Sequence, residues 1–332
     1  MTSPNSHSVR AAQMLLLGTA LWALSFPATK AITAAHQTLV PGANSWFIAS
    51  LCVLYRFAVA ALLLSFLAAR TLPKLTRSEL SQGLGLGLFG GVGILLQVDG
   101  LAYTAASTSA FLTQCYCLFI PIWVALRQRR WPAGKVFLSC ALVVAGVAVL
   151  AGVDWKTFRL GRGELETLAG SVAFTGQILW LERPKFAGNS VNHFSIVMFL
   201  SMALLCVPIA LANAPSAGAW RAAFSTAPTM GFLAILVFPC TLGAYILMNH
   251  WQRHVPATHA GLIYSVEPGF TSLFALFLPG WFSAWAGIVY PNETFTMTLL
   301  VGGGLITFAN VLLYLPIRRP NGASLGAAAQ GN

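Results

Sequence analysis

Charge is what this chain has least of. Only 8% of its 332 residues are Asp, Glu, Lys or Arg, against roughly 25% in soluble globular domains, which excludes an ordinary water-soluble enzyme. Carboxylates are the scarcer sign, 8 Asp and Glu against 19 Lys and Arg, leaving few groups for general acid–base chemistry. The 6 cysteines (Cys52, Cys115, Cys117, Cys140, Cys206 and Cys240) all fall in apolar stretches, where a free thiol behaves as a small hydrophobe. The one close pair, Cys115 and Cys117, is C-x-C within an apolar run, so neither a disulfide framework nor a zinc site is expected. No H-E-x-x-H and no G-x-x-x-x-G-K-[ST] occurs, which argues against a zinc hydrolase and against ATP-driven pumping. No metal and no cofactor is expected.

What is present is apolar length, with 57% of residues hydrophobic. Ten runs are long enough to span a bilayer: 12–31, 45–69, 82–103, 106–126, 134–152, 163–181, 192–212, 229–251, 257–279 and 295–316. Continuous apolarity, without alternation at period two, makes them helices rather than barrel strands. Arg10 followed by an apolar run to Leu24 also has the form of a secretory signal. The length of that run and the many runs after it favour an uncleaved first helix. The predicted fold is an all-α polytopic membrane protein.

The cations orient it. With the N-terminus inside, Arg10, Arg70, Lys74, Arg77, Arg127, Arg129, Arg130, Lys135, Arg183, Lys185, Arg253, Arg318 and Arg319 all lie on the cytoplasmic side. Lys156, Arg159, Arg162 and Arg221 lie outside, and Lys30 and Arg56 fall within spans. The positive-inside rule then places both termini in the cytoplasm and requires an even number of spans. A plasma (inner) membrane is the expected location. The net charge of +11 records this orientation, and no nucleic-acid partner is expected.

The second half repeats the first at an offset of about 150. Gly93, Thr108, Ala110, Leu112, Ala125, Leu126 and Trp131 match Gly243, Thr258, Ala260, Leu262, Ala275, Leu276 and Trp281. Five spans per half force the second copy to enter the membrane from the opposite side, giving ten transmembrane helices in two inverted five-helix repeats with a site near the midplane. The expected organisation is a cytoplasmic N-terminus (1–11), a first repeat (12–152), an external linker (153–162), a second repeat (163–316) and a flexible cytoplasmic tail (317–332). Residues 280–292 look like an inserted aromatic loop.

Several motifs give these spans a family likeness. They are Leu21-Trp22-Ala23-Leu24-Ser25-Phe26 with Lys30, Tyr55-Arg56-Phe57, Thr241-Leu242-Gly243-Ala244-Tyr245 leading into Trp251-Gln252-Arg253, and Val266-Glu267-Pro268. In order and spacing the chain resembles the EamA type of the drug/metabolite transporter superfamily. The resemblance implies a ten-helix carrier of small metabolites, often moving them outward, with a cavity lined by both repeats. The loop Trp281–Tyr290 before Asn292 and Glu293 departs from the pattern, which leaves the role of Glu293 open.

Ionisable residues within the hydrocarbon are costly and so are functional candidates. Arg56 lies ~15 Å from the start of its span and Glu267 ~14 Å, both near the midplane, where they pair directly, pair through substrate, or form a static structural tie. Lys30 and Asp99, both toward the outer interface, form a second candidate pair. Lys30 has the alternative of snorkelling to water, and Asp99 that of carrying a coupling proton. Asp99 has Asn249 as its repeat mate, and Gln114 has Tyr264. With Gln97, Trp22, Ser25, Gln177, Trp180, Tyr116 and Tyr245 they supply a lining suited to an amphipathic solute such as an amino acid with an apolar side chain. For each aromatic, packing or lipid contact is the competing reading. Gly85-Leu86-Gly87-Leu88-Phe89-Gly90 mimics a dinucleotide fingerprint but follows no strand. Gly83, Gly87 and Gly91 read instead as a small face for close helix packing.

The predicted function is therefore secondary active export of amino acids or similar metabolites by alternating access. An importer and an intramembrane lipid-modifying enzyme are the alternatives. The expected partners are a small-molecule substrate, the lipid bilayer and a coupling proton.

Overall fold

The computed structural model describes residues 4–129, 131, 134–150, 160–254 and 263–314, and among these it contains helices and no strand. The helices are α1 (Pro4–Leu39), α2 (Ser45–Leu67), α3 (Arg77–Gly100), α4 (Ala106–Thr113), α5 (Tyr116–Arg127), α6 (Gly134–Leu150) and α7 (Arg162–Leu181). They continue as α8 (Val191–Asn213), the single turn α9 (Ala219–Ala222), α10 (Ala227–Val237), α11 (Ala244–Trp251), α12 (Glu267–Ala275), α13 (Leu278–Ala286) and α14 (Met297–Tyr314). Among the described residues six rods are long and apolar enough to cross a membrane: Val9–Leu39, Ser45–Leu67, Arg77–Gly100, Ala106–Arg127, Val191–Asn213 and Ala227–Trp251. Gly134–Leu150 and Met297–Leu312 are shorter apolar helices.

The differences from the expected spans have local causes. The first helix runs far beyond 12–31, continuing through Pro27 and ending at Leu39, just before Pro41 and Gly42, where φ is +82°. The third begins at Arg77 rather than 82, since Thr76 and Glu79 form a reciprocal capping box. The span 106–126 is broken at Gln114–Cys115 into α4 and α5. The expected inserted loop at 280–292 is in part helix: Leu278–Ala286 forms α13, ended by Gly287 in the left-handed conformation at φ +63°. Residues 151–152, 257–262 and 315–316 of the expected spans, most of the linker 153–162 and the tail 317–332 lie outside the described residues.

Two ends of the bundle can be told apart by what crosses between helices. At the end where α1 finishes and α2 begins, here the Leu39 end, Asn44 caps α2 by accepting from Phe47 N at 2.8 Å and donates to Asn213 Oδ1 at 2.8 Å. At the opposite, Leu67 end, Glu79 accepts from Ser190 N at 2.8 Å, lies 3.1 Å from His193 Nδ1, and so ties α3 to the start of α8.

Close packing sets where the helices sit. A β-carbon at Gly83 would come within 2.7 Å of Phe194 O, and one at Gly87 within 2.8 Å of Met198 O, so the small face of α3 lets the α8 backbone approach. A second glycine face of α3 meets α7, where Gly100 and Gly163 each face the other's carbonyl. Phe57 of α2 and Phe199 of α8, both fully buried, pack with centroids 5.7 Å apart. Wedged between its neighbours in this way, α3 forms one wall of the central cavity.

Candidate functional site

The cavity has a volume of about 280 Å³, close to the ~300 Å³ lower bound usual for small-molecule sites. Trp22, Ser25, Arg56, Gln97, Tyr116, Gln177, Tyr245, Asn249, Tyr264 and Glu267 line it, together with apolar groups that include Ile94, Phe174 and Met248. Leu181, Glu182 and Gln252 extend the lining to the Leu67 end.

Arg56 and Glu267 both face this space and both are buried, but they do not form an ion pair with one another. The Arg56 guanidinium donates from Nε to Thr241 Oγ1 at 2.7 Å and from Nη2 to Cys240 O at 3.2 Å. Its acceptors come from a π-helical segment, Phe238–Gly243, between α10 and α11. Pro239 cannot donate a backbone hydrogen bond, and Thr241 Oγ1 donates back to Leu236 O at 2.8 Å, so the wide turn is stitched from within. Glu267 accepts from Gln114 Nε2 at 2.8 Å, and the same nitrogen lies 3.2 Å from Tyr264 O. Each charge thus has neutral partners on one side and the cavity on the other.

Glu267 opens α12 immediately after a break at Ser265–Val266, and Tyr116 opens α5 immediately after the break at Gln114–Cys115. Tighter backbone bonds close both interruptions, Cys117 N donating to Gln114 O at 3.0 Å and Gly269 N to Val266 O at 3.0 Å. Around them, Gln97 Nε2 donates to Thr113 Oγ1 at 2.8 Å, Asn249 Nδ2 to Ser195 Oγ at 3.1 Å and Tyr264 Oη to Gln252 Oε1 at 3.1 Å. Trp22 meets Tyr245 edge-on at 5.2 Å and Tyr264 at 6.0 Å, forming an aromatic wall that presents ring surface to a ligand.

Four candidates lie elsewhere. Gln114 stands behind Glu267 as its hydrogen-bond donor. Trp180 lies on the flank of α7 in a separate groove. The expected pairing of Lys30 with Asp99 is replaced by two separate contacts. Asp99, fully buried, bonds to Arg162 Nη2 at 2.5 Å, because the start of α7 packs directly on the end of α3. Lys30 Nζ donates to Thr104 O at 2.5 Å.

These contacts belong to a polar layer that seals the Leu39 end. Arg162 also donates to Glu166 at 2.7 Å, to Tyr103 Oη at 2.7 Å and to Ser45 Oγ at 3.3 Å. Thr104 Oγ1 donates to Glu164 at 2.7 Å. Glu293 accepts from Ala106 N at 2.8 Å and from Ser107 Oγ, so its carboxylate caps the start of α4. Tyr290 lies in the same layer, where burial and the nearby Glu293 hold its phenol above the ordinary range. Sequence reasoning missed Arg162, assigned to a linker, and Thr241, although Thr241 stands in one of the motifs that carry the family likeness. Among the described residues no cluster of His, Cys, Asp or Glu has the form of a metal site.

Residues 9–152 match the model of the EamA-like transporter family. A solved structure described only as "Crystal structure of protein" is similar with a TM-score of 0.51 and 16% identity, over 93% of this chain and 96% of that one, which speaks for the fold alone. No curated protein matches the chain. The apolar membrane-crossing helices mark an integral membrane protein, and residues 9–152, somewhat under half of the chain, are similar to the EamA-like transporter family.

Proposed function

We propose that the chain is a secondary transporter that exports zwitterionic amino acids, or metabolites of the same chemistry, by alternating access between two inverted five-helix repeats. The observation that carries this reading is the placement of Arg56 and Glu267. They are opposite charges, buried in one cavity, and each is held by neutral groups rather than by the other. Burying two such charges is costly unless each gains a partner. An α-carboxylate at Arg56 and an α-ammonium at Glu267 supply both partners at once, and the aromatic and aliphatic lining receives the side chain.

The inverted arrangement is supported by the two helix breaks. Gln114–Cys115 and Ser265–Val266 stand at one common offset, 151, in the two halves, as interrupted helices do around midplane sites built from repeats. Export rests on the resemblance to the EamA type, and the cavity is the inward-facing member of the alternating pair. Its lining reaches Leu181, Glu182 and Gln252 at the Leu67 end, the end that the cation distribution assigns to the cytoplasm, while the Arg162 layer closes the other. A coupling proton is assigned to Glu267 rather than Asp99, because Asp99 is committed to Arg162 and Glu267 faces the ligand space.

Counterflow in proteoliposomes tests the reading. Vesicles preloaded with unlabelled apolar amino acid are expected to accumulate the labelled form only when they contain the chain. Absence of counterflow across a panel of amino acids, or turnover of the vesicle lipid instead, would overturn it.

A further inference from the structure

Away from the cavity, and sharing none of its lining residues, a groove of about 990 Å³ opens on the flank formed by α3, α5 and α7. Its apolar part is walled by groups such as Phe89 and Val172, and its Leu67 end is framed by Arg127, Arg183, Trp123 and Trp180. The lining contains two arginines and no carboxylate. Arg183 stacks over Trp180 with Cζ 3.8 Å from the ring centroid, which fixes a guanidinium plane at the rim. Among the described residues no acidic group forms an ion pair with either arginine. Trp123 is 53% and Val172 56% exposed, so the groove faces the surroundings of the bundle rather than its core.

An apolar trough with tryptophan and paired arginine at one end reproduces the layers of a phospholipid: acyl chain, interfacial region and phosphate. We propose that this groove is a binding site for an anionic phospholipid, with an acyl chain along Phe89 and Val172 and the phosphate held between Arg127 and Arg183. Charge complementarity selects the ligand. A zwitterionic lipid gains the same apolar contact but brings a choline cation to a rim that is already positive, and it lacks the net charge that two arginines attract.

Native mass spectrometry of the purified full chain with equimolar phosphatidylglycerol and phosphatidylcholine tests this, alongside thermal unfolding in detergent. Phosphatidylglycerol is expected to be retained preferentially, to raise the unfolding midpoint more than phosphatidylcholine, and to lose that advantage in high salt. Arg127→Gln with Arg183→Gln is expected to weaken phosphatidylglycerol binding roughly thirty-fold while leaving phosphatidylcholine unchanged, and Arg70→Gln to change neither. Equal retention of the two lipids by the unaltered chain, or undiminished selectivity in the double variant, overturns the proposal. So does equal stabilisation by inorganic phosphate alone, which would mark a site for free anions. If the double variant fails to fold, the selectivity of the unaltered chain and its salt dependence still decide the matter.

Discussion

Arg162, at the start of α7, meets the fully buried Asp99, at the end of α3, at 2.5 Å, while its remaining donors reach Glu166, Tyr103 and Ser45. One half-exposed guanidinium therefore joins α2, α3 and α7 at the end where the cavity is closed. Its removal leaves Asp99 as a buried charge without its partner, which weakens the closed arrangement specifically. Arg162→Gln is expected to shift the equilibrium toward opening at the Leu39 end by roughly 5- to 150-fold, the usual size of a coupling between sites. A cysteine introduced at Gln97, in the cavity lining nearest Asp99, reports this through its labelling by a membrane-impermeant thiol reagent applied outside. Labelling that is no faster in Arg162→Gln than in its parent would refute the closure role.

Arg56 and Glu267 give a second, separable prediction. Arg56→Met removes the proposed carboxylate partner and leaves Cys240 O and Thr241 without their donor, and Glu267→Gln removes the ammonium partner but keeps a group that can bond Gln114. Each single variant is expected to lower counterflow at least ~10-fold, as the loss of one charge-assisted hydrogen bond implies. Amidated amino acids, which lack the carboxylate, should compete poorly with the unaltered chain. Transport that survives in the double variant Arg56→Met, Glu267→Gln would reduce both residues to structural roles.

The legibility of this fold in the sequence follows from physics that acts locally. Apolar run length marks a span whatever surrounds it, so α2, α3 and α8 could be read directly, and Arg56 and Glu267 stood out as charges in oil. Partner choice was less visible, because it depends on which helices touch. The chain gives no local sign that Asp99 meets Arg162 instead of Lys30, or that a π-helical turn brings Cys240 O and Thr241 to Arg56. The breaks at Gln114 and Val266 were hidden for a different reason. Backbone carbonyls freed at a helix break inside a membrane can be satisfied by side chains from other helices, as Tyr264 O accepts from Gln114 Nε2, so the break needs no local turn residue.

Thr241 is the pivot of the π-helical segment, accepting from Arg56 and donating to Leu236 O. Thr241→Val keeps its shape and deletes both bonds, leaving a guanidinium and a carbonyl in the core short of partners. A loss of about 1–3 kcal/mol is expected, visible as a lower unfolding midpoint in detergent, with Thr241→Ser close to the parent. If valine and serine variants melt together, the hydroxyl does not hold the turn.

The contact between α6 and α14 rests on two glycines that face each other. A β-carbon on Gly146 would lie 2.7 Å from Gly302 O, and one on Gly302 would lie 2.8 Å from Gly146 O, so each helix touches the other's backbone and neither can yield by rotating a side chain. Gly304, two residues along α14, has nothing within 4 Å of its β-carbon position. The same substitution therefore has opposite signs two residues apart. Gly302→Ala is expected to cost about 1–3 kcal/mol through overpacking against backbone. Gly304→Ala gains up to about 1 kcal/mol from helix propensity. Unfolding midpoints measured side by side in one detergent decide it. Equal shifts would mean that α6 and α14 are not in contact through Gly146 and Gly302, whereas a fall at 302 with no fall at 304 identifies the glycine pair as what lets these two helices hold together.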